Sequence, residues 1–384
     1  MKRKPLHIAI LSYDRPAYLK KVLRSLARQL MPQDRVAIFQ DGGWNPYDGQ
    51  FRASAEGLAA CMGLCREIMP QAELFTSSVN LSIAGNYRRA EQYMFQALGA
   101  DAALFLEDDL VLSKDYLTVI DRLLDLAREN PLIGYVSAYG DLWASREAQE
   151  KRAGQLMPMH ENWGAAMTRA SWIKQRPVRE LYWSMVRDID YRARDNGRIA
   201  ALYREMGYEM DISSQDGSRW IACVENGLVR LTTATCHARY IGAVGEHFRA
   251  DRFRRYRFDA AQFYRTAPDL IAPTPRQIAK WQREAKTAIR AGYRHSYVIA
   301  EEQKQLRELD ADGLLQWAKE AVTAGDVGSG VAAFEARIAR FPDLSDDFGD
   351  PLFRKEYFRH LSFAQKWEEM AALIEQWPEG PGER

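Results

Sequence analysis

The sequence predicts an α/β protein, a Rossmann-like, mostly parallel sheet flanked by helices, with an all-α appendage at its C-terminal end. Three observations carry this. Short apolar runs alternate with amphipathic stretches through the first half; the runs end in polar or acidic clusters; and the texture turns charged and helical near residue 265. Taken in order, "HIAIL" (7–11) has the pattern of a buried strand. "AYLKKVLRSLARQL" follows, with Leu19, Val22, Leu23, Leu26 and Leu30 at helical spacing. "RVAIFQDGG" is a second strand ending in Asp-Gly-Gly, and "SAEGLAACMGLCREIM" a second helix. "ELFTSS" is a third strand, "IAGNYRRAEQYMFQAL" a third helix and "ALFLEDD" a fourth strand. Alternation at this spacing implies parallel strands joined by crossover helices, and such sheets bind ligands beyond the carboxyl ends of their strands. The ends "SYDRP", "QDGG" and "EDD" therefore converge on one edge and form the candidate site.

At 384 residues, length suggests about two or three domains. The expected division is the α/β domain over 1–265 and a helical, TPR-like domain over 266–384. In the latter, "LLQWAKEAVTAGDVGSGVAAFEARIARFPD" places Ala318, Ala321, Gly325, Ala332 and Ala333 ahead of Phe341-Pro342, the texture of a TPR-like helical hairpin. Its aromatics Trp317, Phe353, Tyr357, Phe358 and Trp367 suit either packing between hairpins or contact with an acceptor, a partner or a second copy of the chain. Lys plus Arg number 53 against 52 for Asp plus Glu, so overall charge gives no sign of a nucleic-acid partner. Four cysteines without a CxxC pair point to reduced thiols. The basic, then apolar, N-terminus is too short in its apolar part for a secretion signal, and no stretch approaches the roughly 18 apolar residues of a membrane span, so the expectation is a cytoplasmic protein.

Three adjacent carboxylates at a strand end repel one another and call for a cation. Asp108 and Asp109 suit a hard divalent ion, Mn²⁺ or Mg²⁺, which binds one or two carboxylates together with phosphate oxygens and can neutralise a nucleoside diphosphate as leaving group.

The ordered blocks "IAILSYDRPAYLKKVLRSL", "FQDGG", "NLSIAGNYRRAEQYMF", "LFLEDDLVLSKDYL", "VSAYGD", "NWGAAMTRASW" and "CVENGLVRL…RYIGAVGEH" span roughly residues 6 to 250. In this order they resemble the GT-A glycosyltransferases, and among them the inverting N-acetylglucosaminyltransferase I type and its bacterial relatives. The resemblance implies a UDP-sugar donor, UDP-GlcNAc foremost, and a glycan or protein-linked acceptor. It implies that Arg15 reaches the donor diphosphate, that Asp41 and Asn86 lie at the nucleobase, that Glu107 and Asp108 hold ribose and orient the site, and that Asp109 is the metal ligand. Asn86 departs from the family, which has histidine there. His247 would complete the metal or phosphate site, or be an ordinary surface or core histidine.

An inverting transfer needs a carboxylate base opposite the diphosphate. Asp216 in "SSQDGSRW" has the family's spacing before "VENG"; Asp188 and Asp190 in "VRDIDY" are rivals, and an Asp-Gly turn is the plain alternative for Asp216. His160 and Glu161 would border the acceptor cleft, Trp163 would stack on a sugar or fill the core, and Asp141 would touch a sugar. A different class of function is a sugar-nucleotide-binding scaffold whose C-terminal helices bind protein. A nucleotidyltransferase would need a Gly-rich loop after strand one, which "SYDRPAYLKK" lacks.

Overall fold

The computed structural model describes residues 3–210, 212–244, 253–254, 257–290, 305–323 and 327–340. The strands are β1 (His7–Ser12), β2 (Arg35–Gln40), β3 (Trp44–Asn45), β4 (Gln50–Phe51), β5 (Glu73–Thr76), β6 (Ala102–Glu107), β7 (Leu110–Leu112), β8 (Ile133–Ser137), β9 (Leu156–Pro158), β10 (Ala165–Thr168), β11 (Val229–Thr233) and β12 (Ala238–Tyr240). The helices are α1 (Pro16–Ala27), α2 (Ala55–Ile68), α3 (Ser82–Gln92), α4 (Tyr116–Glu129), α5 (Arg146–Lys151), α6 (Arg169–Val186), α7 (Asn196–Glu205), α8 (Gln215–Glu225), α9 (Pro275–Arg290), α10 (Ala311–Thr323) and α11 (Val327–Arg340).

Eight strands form the central sheet in the order β5-β2-β1-β6-β10-β8-β11-β9. The half containing β5, β2, β1 and β6 is parallel throughout, as the alternation of strand and helix predicts. β10 runs antiparallel to both β6 and β8, and β9 antiparallel to β11. The mostly parallel α/β sheet flanked by helices is therefore observed, with reversals confined to two strands that apolar periodicity does not announce. β1, β2 and β6 are buried nearly end to end, which is why they read as unbroken apolar runs. In α1, Pro16 occupies the first turn, where its missing N–H costs nothing, and Leu19, Val22, Leu23 and Leu26 supply the buried face.

The chain divides into two compact units, Met1–Arg294 and His295–Arg384, not near residue 265. The reason lies in the contacts of 266–290. The Ile271 N–H donates to the Gly154 carbonyl at 2.8 Å, Arg122 Nη1 to the carbonyls of Ala267 and Pro268, and Gln282 Nε2 to that of Gly227 at 2.6 Å. Ile289 joins a core cluster with Tyr203, Tyr208 and Ile221. A chain cut near 265 is thus expected to unfold at clearly lower temperature than one cut after 294, since each buried isoleucine contributes about 1.5–3 kcal/mol. Equal melting temperatures for the two truncations, measured by circular dichroism, would show that α9 is dispensable.

The second unit contains an α10–α11 hairpin. Ala318, Ala321 and Ala333 are fully buried, the small-residue crossing the sequence predicts, and the Arg337 Nε–H caps the Ala311 carbonyl at 3.0 Å. Trp317 is half-buried; Gly325, Phe341, Pro342, Phe353, Tyr357, Phe358 and Trp367 lie outside the described residues.

Candidate active site at the strand ends

Chain order leads from β1 outward to β2 and β5 on one side, whereas β6 lies on the other side of β1. That reversal is the place where an open α/β sheet has a crevice. Pairing of Leu11 with Glu107 sets the register, so that "SYDRP" and "EDD" leave the sheet side by side. Arg15, just before α1, occupies this crevice. Its Nη2 and Nε face Asp108, the latter at 3.4 Å from Oδ2, and its Nη1 lies 2.8 Å from Asp109 Oδ2. The cationic partner that the acidic triplet requires is therefore, in the first instance, Arg15. Burial works against the guanidinium's charge, but Asp108 and Asp109 outweigh it and raise its pKa. Burial pushes the Asp109 carboxyl up to about 6, with Arg15 opposing and Asp108 adding to the rise. Glu107 is raised as well, by burial first and then by the charges of Asp109 and Asp216.

Asp41 and Asn86 close the side of the crevice at β2. Asp41 Oδ1 accepts the backbone N–H groups of Gly42 and Leu81, each at 2.8 Å. Asn86 Nδ2 donates to the Phe39 carbonyl at 3.0 Å, and its Oδ1 accepts from Arg89 Nε at 2.7 Å. With 4% and 3% of their surfaces exposed, both side chains are engaged in internal bonds that fix α3 against the end of β2. Gly42 has no room for a side chain: a Cβ would lie 2.4 Å from the Val79 carbonyl oxygen.

Burial raises the Asp41 pKa from 3.8 to about 7, against the pull of its N–H donors. An acid whose pKa is raised on folding holds more protons folded than unfolded, so its contribution is fully present below the unfolded pKa and is lost as pH rises through about 7. Asp41→Asn keeps the acceptor oxygen and removes the titration. Wild-type Tm is expected to fall between pH 5 and 8, and to fall less in the variant; parallel curves in thermal scans would contradict this.

Asp216 stands in the first turn of α8, not in a turn between elements. Gly217 serves close approach there, since a Cβ would lie 2.2 Å from the Ile212 carbonyl oxygen. The Asp216 side chain is 47% exposed. Its Oδ1 accepts from Asn162 Nδ2 at 2.8 Å and lies 3.6 Å from Arg219 Nη1. Of its rivals, Asp188 is exposed and paired with Arg187, while Asp190 caps a short 3₁₀ turn and pairs with Arg52 at 2.8 Å. Burial alone would raise the Asp190 pKa, but the Arg192 N–H and Arg52 lower it, which makes it a poorer proton acceptor. Asp141 is paired with Arg152, and half-buried Trp163 stacks on Tyr240 at 4.4 Å in an aromatic cluster with Tyr139 and Phe258. The Tyr139 hydroxyl accepts the backbone N–H groups of His160 and Glu161.

His247 lies outside the described residues, and among those described no three His, Cys, Asp or Glu side chains form a metal cluster. The donor set still fits an ion that takes one protein carboxylate and phosphate oxygens. Asp109 offers a hard oxygen, and glycine at 242 allows the backbone to come close to it, because a Cβ there would lie 2.3 Å from the Tyr240 hydroxyl and 2.7 Å from Asp109 Oδ2. Two features escape sequence reading. Asn162 and Arg230 join Asp216 only through the fold, and the β3–β4 hairpin exposes Trp44, Tyr47 and Phe51 directly after Asp-Gly-Gly.

Fold and site thus define a mostly parallel α/β sheet with a charged crevice at its switch point. No family model matches the chain, and no curated protein does. Among solved structures it is similar to S. aureus TarS 1-349 in complex with UDP-GlcNAc, at 9% identity and TM-score 0.40, over 87% of this chain and 91% of that one. It is also similar to the mannosyltransferase PcManGT from Pyrobaculum calidifontis in complex with GDP-Man and Mn²⁺, at 14% identity and TM-score 0.36, over 88% of each chain. Against S. aureus TarS it aligns at 11% identity and TM-score 0.35, over 61% of this chain and only 36% of that one, so it spans about a third of that protein's length. Likenesses this distant carry no functional argument.

Proposed function

We propose that the chain is a metal-dependent, inverting glycosyltransferase of the GT-A type, moving a sugar from a UDP-sugar, UDP-GlcNAc foremost, to a hydroxyl of a glycan or protein-linked acceptor. One observation carries the reading. Arg15, Glu107, Asp108 and Asp109 meet at the switch point of the sheet, and Asp216, on α8, is close enough to raise the pKa of Glu107. The ordered motifs that resemble the family support it.

In this reading Asp109 holds Mn²⁺ or Mg²⁺, which when bound supplies positive charge to the diphosphate. Arg15 lies beside the same carboxylates and adds its own charge to the leaving group. Asp216 takes the proton of the acceptor hydroxyl as its oxygen bonds to the anomeric carbon. The bond from that carbon to the phosphate oxygen breaks in the same displacement, its electron pair leaving with the nucleoside diphosphate. A single displacement inverts the anomeric configuration. Glu107 and Asp108 orient the donor, and the second unit engages the acceptor, a protein partner or a second copy. A cytoplasmic setting belongs to the same proposal.

Incubation with a panel of sugar nucleotides and Mn²⁺ tests this through nucleoside diphosphate release, with thermal shift reporting binding. Release from at least one UDP-sugar is expected. No release from any, together with no rise in Tm with UDP and Mn²⁺, would overturn it.

A further inference from the structure

Asp216 is held from behind by two successive hydrogen bonds that span three separate parts of the chain. Arg230 Nη1, from β11, donates to Asn162 Oδ1 at 3.1 Å, and Asn162 Nδ2, from the loop before β10, donates to Asp216 Oδ1 at 2.8 Å. A guanidinium can only donate, so its contact fixes which end of the Asn162 amide is oxygen and turns the N–H₂ toward Asp216. Arg230 is 7% exposed, lies 4.5 Å over the Trp220 ring and makes no ion pair among the described residues. Asn162, 6% exposed, has both ends of its amide engaged in this chain. A buried cation without a carboxylate is costly, and the chain through Asn162 gives it an indirect anionic partner.

We propose that Asn162, oriented by Arg230, is a positioning residue for Asp216. This deepens the reading of Asp216 as proton acceptor and rests on it. A donor on Oδ1 fixes the carboxylate's rotamer. Both contacts fall on Oδ1, which leaves Oδ2 for an incoming hydroxyl.

The test is steady-state release of nucleoside diphosphate by the folded variants. In Asn162→Ala kcat is expected to fall about 10- to 100-fold with the donor KM unchanged, and in Arg230→Gln to fall by less. Added to Asp216→Asn, Asn162→Ala should cost nothing further, since a positioning residue acts only through the carboxylate it positions. An unchanged kcat in the folded single variants overturns the proposal, as does an equal further loss in the Asp216→Asn background. So does loss of folding in both single variants, which would make the two hydrogen bonds a structural brace. If Asp216→Asn alone turns over like wild type, it is the assignment of the base that fails.

Discussion

Asp216→Asn should bind a nucleotide sugar as wild type does and transfer it about 10² to 10⁴ times more slowly, the usual cost of losing a general base. The substitution is nearly isosteric and keeps an oxygen to accept from Asn162, so α8 and its first turn should be undisturbed. It removes only the capacity to hold a proton. Calorimetry of the donor and steady-state release of nucleoside diphosphate separate the two effects. Wild-type turnover would exclude Asp216 as the base. Asp190 would be a weak successor, because Arg52 and the Arg192 N–H already stabilise its charged form.

Asp109→Ala is expected to abolish the Mn²⁺ dependence of UDP binding, lowering affinity in the presence of the metal by about 100-fold or more, beyond what second-shell changes at metal sites bring. The fold should survive. The carboxylate is desolvated and repelled by Asp108, and Arg15 retains Asp108 as its partner when Asp109 is gone. Calorimetry of UDP with and without Mn²⁺, alongside thermal unfolding, gives both answers. Unchanged affinity would remove Asp109 from the metal assignment and leave Arg15 as the cation of the site.

The parallel half of the sheet was legible because β1, β2 and β6 are buried on both faces and have no polar alternation to obscure them. β9 and β10 were not, since three or four residues carry too little periodicity and their direction is set by their neighbours. The same holds for the boundary near 265. The charged composition of α9 marks a surface helix, but nothing local reveals that Ile278 and Ile289 find their burial in the first unit.

By itself the sequence determined that charged clusters would meet at the ends of parallel strands, because strand direction and crossover connection follow from local pattern. It also determined that three adjacent carboxylates must acquire a counter-charge. Which charge answers them was decided by tertiary structure: the register of β1 against β6 brings Arg15 onto Asp108 and Asp109. Tertiary structure likewise turned Asp41 and Asn86 into internal braces, bound Asp190 to Arg52 and joined Arg230 through Asn162 to Asp216. Residue type fixes what a side chain can donate, accept or titrate. Its partner is fixed by which distant segments the sheet places within about 3 Å, and local sequence pattern does not encode that.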